Sequence, residues 1–205
     1  MLKRRRKQIE IRFILSMIGI FCVFSGVLFL RLRGGSIVRA KGEDLLPEEA
    51  VTYRQDDMRW ADDRLGDSVF TMRSSGCLVS CIASAVSIQA DEEITPGELN
   101  QIFSENHVYD GEGNIRWAAI GQMPGYCAEV FSDVSGTEIE ECLEAGNYPI
   151  VRVRVKGLGS FHYVLIVGRR GGEYLCMDPL EDDLTTLSDY GNRAYAVRLV
   201  YWEKQ

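Results

Sequence analysis

Three side chains in this sequence are of the types that together perform acyl transfer: a thiol at Cys77, an imidazole at His162 and a carboxylate at Asp178. Gly76 and Cys77 precede a run of small and apolar residues without Gly or Pro, which predicts a buried helix with Cys77 in its first turn. A helix amino terminus or a neighbouring cation lowers the pKa of a thiol. Cys77 is therefore the candidate nucleophile, and Gly76 beside it would let a substrate backbone come close.

A predicted hairpin brings the imidazole and the carboxylate together. Residues 163–168 and 174–177 are rich in β-branched and aromatic side chains, and residues 169–172 supply the turn. In an antiparallel pair folded about this turn, His162 and Asp178 become opposing or diagonal neighbours, roughly 4.5 to 8 Å apart between Cβ atoms. We expect the carboxylate to hold the Nδ1 proton of the imidazole and to stabilise the imidazolium.

The remaining periodicities predict helices in the first part of the domain and antiparallel strands in the second. A capping box at Thr95-Pro96-Gly97-Glu98 begins a helix that runs to about Ser104. The other predicted elements are a helix from Gly136 or Thr137 to Ala145, a strand over Ile150 to Val155 and a last strand from Arg193 or Ala194 to Val200. This order predicts one α+β domain with two layers.

The other titratable residues favour structural interpretations. We expect Cys81, Cys142 and Cys176 to pack in the core, and Cys127 to be exposed or disulfide-bonded after export. His107 lies in a predicted loop. Alternation of Arg152 and Arg154 is typical of the solvent side of a strand, and the aspartates at 56, 57, 62 and 63 lack the ligand order of an EF-hand. The sequence predicts neither a metal nor a cofactor.

Charge is distributed unevenly along the chain. Residues 1–33 hold eight Lys/Arg and one acidic residue, which leaves 15 basic and 29 acidic residues in 34–205. A net charge of −14 excludes a nucleic-acid partner for the main domain. Residues 13–30 carry no charge and would rise about 27 Å as a helix, close to the roughly 30 Å hydrocarbon core of a bilayer.

These features predict a basic cytoplasmic tail (1–12), a transmembrane helix or signal anchor (13–32), a linker (33–50) and a folded domain (51–205). Six positive charges precede the apolar run and four follow it, which favours a single-pass membrane protein with an extracytoplasmic carboxy-terminal domain. The alternative is a cleaved signal peptide ending at Ala40. The apolar run is longer than the 7 to 15 residues typical of such a peptide, which favours the anchor.

Several short strings resemble, in the same order, those of the bacteriocin-processing (double-glycine leader) cysteine peptidases of the papain-like superfamily. The resemblance covers roughly residues 51–185, and the strings are Tyr53 to Ala61 (Tyr-Arg-Gln-Asp-Asp-Met-Arg-Trp-Ala), Gly66, Ser75-Gly76-Cys77, Ile94-Thr95-Pro96 with Leu99-Asn100, His162-Tyr163-Val164 and Met177-Asp178-Pro179. The chain departs from the family at Leu78-Val79-Ser80, where a Gly-Pro-Thr/Ser stretch is usual. It also carries no transporter domain, so the leader-peptide substrate is not transferred to it.

The resemblance implies a papain-like α+β fold with Cys77 as nucleophile, His162 as general base and then acid, Asp178 as the orienting residue and Gln55 as an oxyanion-hole donor. The implied reaction is hydrolysis of a peptide or isopeptide bond in a peptide or protein substrate through a thioester. The sequence thus predicts a membrane-anchored extracytoplasmic cysteine peptidase. Two alternatives stay open: a catalytically silent peptide-binding module, and an acyltransferase or amidase acting on a cell-envelope substrate.

Overall fold

The computed structural model describes residues 2–47, 51–90 and 93–203, with side chains from residue 12 onwards. The end of the predicted linker, residues 48–50, lies outside the described residues. The helices are α1 (Leu2–Leu32), α2 (Met72–Ser75), α3 (Cys77–Gln89), α4 (Pro96–Glu105), α5 (Trp117–Ile120) and α6 (Gly136–Glu144). The strands are β1 (Ser36–Ile37), β2 (Tyr126–Val130), β3 (Ile150–Arg154), β4 (Phe161–Arg170), β5 (Glu173–Met177), β6 (Thr185–Thr186), β7 (Arg193–Ala194) and β8 (Ala196–Trp202).

The chain forms two compact units, residues 1–34 and residues 35–205. The first unit consists mainly of α1. Its segment Arg12–Leu32 has a mean hydropathy of 2.6 over its most apolar window and is long and apolar enough to cross a membrane. A signal sequence near an amino terminus has the same character, so this unit is either a membrane span or a signal sequence.

The second unit is built on a six-stranded antiparallel sheet with the order β2-β8-β3-β4-β5-β6. A two-stranded pair of β1 and β7 lies beside it. The three long helices predicted in this unit are present. Helix α3 begins at Cys77, α4 begins at Pro96 directly after its N-cap Thr95, and α6 ends before Gly146. The mixed helix and antiparallel sheet architecture is therefore as predicted.

Both faces of the sheet are covered, so the domain has three layers and the predicted two-layer arrangement was wrong. Helix α3 packs on β4 and β8 in a cluster that includes Ile150, Leu165 and Val200. The alternate residues of the same strands, such as Val151 and Val164, point to the other face and pack under α6. Because each strand is buried on both sides, β4 is apolar over most of its length instead of alternating.

The segment predicted as a free linker packs on the domain. Ser36 and Ile37 pair with β7, and Val38 and Ala40 are buried. Further on, Leu45 forms a bridge with Arg169, with both backbone hydrogen bonds at 2.8 Å. The folded unit thus starts near residue 35 and not near residue 51. The sequence carries no period here because the segment pairs with the domain at isolated positions, which produces neither a helical nor a strand pattern.

Candidate active site

The hairpin of β4 and β5 brings His162 and Asp178 into direct contact. The Nε2 atom of His162 lies 2.6 Å from Oδ1 of Asp178, and each residue is only 4% exposed. The register differs from the predicted one, because Leu165 faces Met177 and the turn is confined to residues 171–172. Continuing that register past Met177 makes Asp178 a diagonal neighbour of His162, which a long imidazole bridges.

The ring nitrogen that contacts Asp178 is Nε2, so the expectation that the carboxylate holds Nδ1 was wrong. The contact leaves Nδ1 as the nitrogen available to Cys77. Burial lowers the pKa of His162, but hydrogen bonds to Asp178 and Cys77 and their negative charges outweigh it and raise this pKa from 6.5 to about 9. The imidazole therefore favours its charged form at neutral pH, as a thiolate partner requires.

Asp178 is held by two further donors that orient it towards the imidazole. The backbone N–H of Leu180 donates to Oδ1 at 2.8 Å, and the Tyr190 hydroxyl donates to Oδ2. Burial raises the pKa of Asp178, but the hydrogen bonds and the charge of His162 together lower it below its usual value. Tyr190 is a residue that sequence reasoning missed. It is placed by a single 3₁₀ turn, Leu187–Tyr190, whose position beside β5 is a tertiary feature.

Cys77 is the first residue of α3, as predicted, and is half-buried. Its backbone N–H belongs to the first turn of the helix, whose amides have no acceptor within the helix. The structure shows a packing role for Gly76. A Cβ at position 76 would lie 2.5 Å from the carbonyl oxygen of Met72, so the glycine permits the close junction of α2 and α3.

Cys81 lies one turn further along the same helix and behaves differently. It is fully buried, its Sγ lies 3.5 Å from the carbonyl oxygen of Tyr163, and burial raises the pKa of its thiol well above the ordinary value. A thiol in such surroundings stays protonated and inert. Cys77 and Cys81 lie on one face of α3, and Cys77 therefore differs from Cys81 by its position at the start of the helix.

Gln55 lies between the two parts of the chain that carry the site. Its backbone N–H donates to the carbonyl of Pro179 at 2.9 Å, next to Asp178. Its side-chain Nε2 donates to the carbonyl of Arg73 at 2.8 Å, just before Cys77. The loop that contains Gln55 is closed by Trp60, whose indole N–H donates to the carbonyl of residue 54 at 2.9 Å. The amide of Gln55 has two N–H donors, and this bond uses one of them.

A cleft of about 280 Å³ opens beside Cys77. Aromatic side chains contribute much of its wall, and Glu112 is the one acidic residue among those described as lining it. The aromatic lining residues are Phe70, Tyr109, Trp117 and Tyr163. Helices α2 and α5, which flank this cleft, were not predicted because single turns are too short to show a period.

The remaining candidate residues lie apart from this cleft. Cys142 and Cys176 are buried, as expected for core packing. Cys127 is half-buried and free, with its Sγ 3.6 Å from a carboxylate oxygen of Glu203. His107 is exposed and adopts a φ of 52°. None of these residues is among those described as lining the Cys77 cleft.

The expectation that Arg152 and Arg154 form the solvent side of a strand was wrong. Arg154 is buried and Arg152 is half-buried. Both guanidinium groups stack on the ring of Phe161, at 4.4 Å for Arg152 and 4.0 Å for Arg154. The alternating pattern is that of a strand with one polar face, and aromatic residues of neighbouring elements cover that face.

Comparison with known proteins found no match: no protein family, no curated protein and no solved structure is similar to this chain. The chemistry of the site is therefore inferred from its own atoms. The site has a buried imidazole in contact with a buried carboxylate. A half-buried thiol at a helix start acts on the same imidazole.

Proposed function

We propose that this chain is a cysteine peptidase of papain-like architecture that hydrolyses peptide or isopeptide bonds. The observation that carries the proposal is the 2.6 Å contact between His162 and Asp178, together with the action of Cys77 on the same imidazole. A structural histidine needs one hydrogen-bond partner. An imidazole held by a carboxylate on one side and a thiol at a helix start on the other has the parts of a nucleophile, a base and an orienting group.

In the proposed reaction, the Cys77 proton moves to His162, and the thiolate attacks the carbonyl carbon of the scissile bond. The Cys77 backbone N–H and the spare N–H of Gln55 stabilise the oxyanion, a contact that contributes roughly 3 to 4 kcal/mol in comparable sites. His162 then protonates the leaving amine, and the acyl group stays on sulphur as a thioester. A water molecule, deprotonated by His162, hydrolyses the thioester and restores the thiol.

The amino-terminal unit supplies a proposed location. We propose that α1 is an uncleaved anchor and that the domain lies on the extracytoplasmic side, because its apolar segment has the length of a span and more Lys/Arg precede that segment than follow it. Alkaline phosphatase fused to the carboxy terminus tests this orientation. We expect the fusion to be active and to sediment with membranes. An inactive fusion contradicts the orientation, and a soluble, shortened product contradicts the uncleaved anchor.

The test of the peptidase is carried out on the full chain in non-ionic detergent. A thiol-reactive electrophile at pH 5.5 should modify Cys77 selectively, and His162→Ala should abolish that selectivity, because the imidazolium stabilises the thiolate. Cys127 is a matched control, since it is also half-buried and free but is not in contact with an imidazole. Equal modification of the two cysteines contradicts an activated thiolate and favours a silent binding module.

Digestion of a peptide library then tests the reaction itself. Wild type should produce cleavage products that Cys77→Ala does not. If Cys77 is selectively modified and yet no peptide is hydrolysed, addition of amine or thiol acceptors distinguishes an acyltransferase, because acceptors then resolve the thioester that water does not. Identical digests of wild type and Cys77→Ala, with and without acceptors, contradict the proposal.

A further inference from the structure

Two arginines and a tyrosine lie side by side on the sheet face that carries α3. On β3, Arg152 faces Tyr163 of β4 on one side and Ala196 of β8 on the other. On β8, Arg198 faces Ile150, so it lies on the same face as Arg152, one row away. Arg152 and Arg198 are therefore diagonal neighbours on the two strands, and Ala196 opposite Arg152 has only a small side chain.

This group of three residues adjoins the candidate nucleophile. Tyr163 lines the Cys77 cleft, and so does Trp117, over whose ring the Arg198 guanidinium lies at 5.5 Å. Burial raises the pKa of the Tyr163 hydroxyl; the charges of Arg152 and Arg198 oppose this rise, and that of Cys77 adds to it. Both arginines and the thiol therefore lie within electrostatic range of one hydroxyl at the cleft wall.

Neither arginine is neutralised by the protein. Arg54, Arg59, Arg73 and Arg169 each form an ion pair with a carboxylate, whereas Arg152 and Arg198 form none with any described residue. The Nε atoms of both are buried without an acceptor in the described structure. Buried donors without acceptors are costly, and the surrounding domain is strongly acidic overall. An anionic ligand at the terminal nitrogens of the two guanidinium groups would balance their uncompensated charges.

Aromatic stacking prepares these guanidinium groups for such a ligand. Arg152 stacks on Phe161 at 4.4 Å, and Arg198 lies over Trp117. Stacking restrains the plane of each guanidinium. Nη1 of Arg198 donates to the Val197 carbonyl at 2.7 Å, and Arg152 hydrogen-bonds to the Tyr163 hydroxyl. The remaining terminal N–H donors of the two planar groups match the two oxygens of a carboxylate.

We propose that Arg152, Arg198 and Tyr163 form an anion-binding subsite on one wall of the Cys77 cleft, which recognises a carboxylate of the substrate. The inference rests on the proposed function, because the subsite adjoins the same cleft through Tyr163. It assigns the substrate class: peptides with an acidic side chain or a free terminal carboxylate close to the scissile bond.

Paired peptides test the subsite in the full chain in non-ionic detergent. The members of each pair differ only by Asp against Asn or Glu against Gln, and each pair is made with a free and with an amidated carboxy terminus. We expect the acidic member to be cleaved at least fivefold faster, and Arg152→Gln and Arg198→Gln to remove the preference. A preference that survives amidation identifies a side-chain carboxylate, and one lost on amidation identifies the terminal carboxylate. Equal cleavage of all members by wild type overturns the proposal.

A second measurement does not depend on peptidase activity. Iodoacetate is anionic and iodoacetamide is neutral, and both alkylate an accessible thiol. The ratio of their rates at Cys77, measured by mass spectrometry, should fall about two- to threefold for each Arg→Gln change at low ionic strength. A lowered ratio without peptide cleavage supports the subsite and contradicts the peptidase. An unchanged ratio overturns the subsite even where peptides are cleaved.

Matched variants separate charge from folding. Arg170→Gln makes the same change in net charge at the exposed far end of β4, and it should leave both the ratio and the peptide preference unchanged. Arg152→Lys and Arg198→Lys keep the charge but lose the planar donor edge, so they should keep the alkylation ratio and lose the preference. If a glutamine variant fails to fold by circular dichroism, the lysine pair decides the question.

Discussion

Two of the clefts in the second unit differ strongly in size and character. The cleft beside Cys77 has a volume of about 280 Å³, whereas a groove between α3, α4 and the β2–β8 edge has a volume of about 810 Å³. The larger groove is lined by apolar residues such as Ile94, Ile102 and Trp202, with glutamates at 93, 98 and 105. Its described lining residues include no thiol, whereas Cys77 lines the smaller cleft. The smaller cleft is therefore the one that holds the proposed nucleophile.

The comparison shows that convergence of groups, and not volume, marks the candidate site. Cys77 comes from a helix start, His162 from a strand, and Asp178 from the end of the next strand. Asp178 contacts the His162 imidazole, and Cys77 acts on the same imidazole. By contrast, Glu98 at the larger groove is used locally, because its carboxylate accepts the Thr95 N–H in the capping box at 2.8 Å.

Removal of the thiol should have the largest effect on the Cys77 cleft. Cys77→Ala should lower any peptide hydrolysis by about a thousandfold or more, because no other described group in the cleft can form the thioester. The rate is measured by mass spectrometry of a cleaved library peptide. Retention of more than a tenth of the wild-type rate would show that the hydrolysis does not take place in the smaller cleft.

Asp178→Asn should have the next largest effect. Because the amide does not stabilise an imidazolium, we expect the alkylation rate of Cys77 at pH 6 to fall on the order of 10²-fold or more. Tyr190→Phe is the control: it removes one hydrogen bond to Asp178 and keeps its charge, so the rate should fall less than tenfold. Similar losses in both variants would indicate a structural defect.

Raising the pH should inactivate the site through His162. Its pKa is raised to about 9, so the imidazolium needed to protonate the leaving amine is lost above that pH, and hydrolysis should fall tenfold per pH unit there. The same shift stabilises the folded state fully below pH 6.5, and this stabilisation is lost between pH 6.5 and 9.

NMR titration checks the sign of this effect. The chain has two histidines, so a His107→Gln variant assigns the signal of His162. A pKa below 6.5 for His162 in the folded protein would contradict the proposed charge state.

Gly76→Ala should destabilise the fold without removing any catalytic atom. An added Cβ would meet the Met72 carbonyl oxygen at 2.5 Å, which we expect to cost about 1 to 3 kcal/mol. Gly121→Ala is a matched control, because its nearest neighbour would be the Ala118 carbonyl oxygen at 4.0 Å. Thermal unfolding of both variants gives the comparison, and equal melting temperatures would exclude the tight α2–α3 junction.

The smallest effect is expected in the larger groove. Gln101→Ala removes a surface hydrogen bond to Glu105 of 2.9 Å and leaves the Cys77 cleft intact. Both the alkylation rate of Cys77 and the rate of peptide hydrolysis should stay within twofold of wild type. A larger loss would show that the larger groove and the Cys77 cleft form one functional surface.

Local signals predicted much of this molecule. The capping box at Thr95 begins α4, and the small apolar run after Gly76 begins α3 at Cys77, because capping and burial act within a few residues. The hairpin turn brought His162 close to Asp178 for the same reason. The sequence by itself therefore determined the long elements, the apolar amino-terminal helix and the pairing of imidazole with carboxylate.

The tertiary structure alone decided what depends on contacts between distant segments. It selected Nε2 of His162 for the carboxylate, placed Tyr190 behind Asp178, and packed residues 36–45 on the domain. It also put Arg152 beside Arg198 without a carboxylate between them. Such contacts leave no period in the sequence, because each joins single residues whose separation along the chain is set by the fold and not by helical or strand geometry.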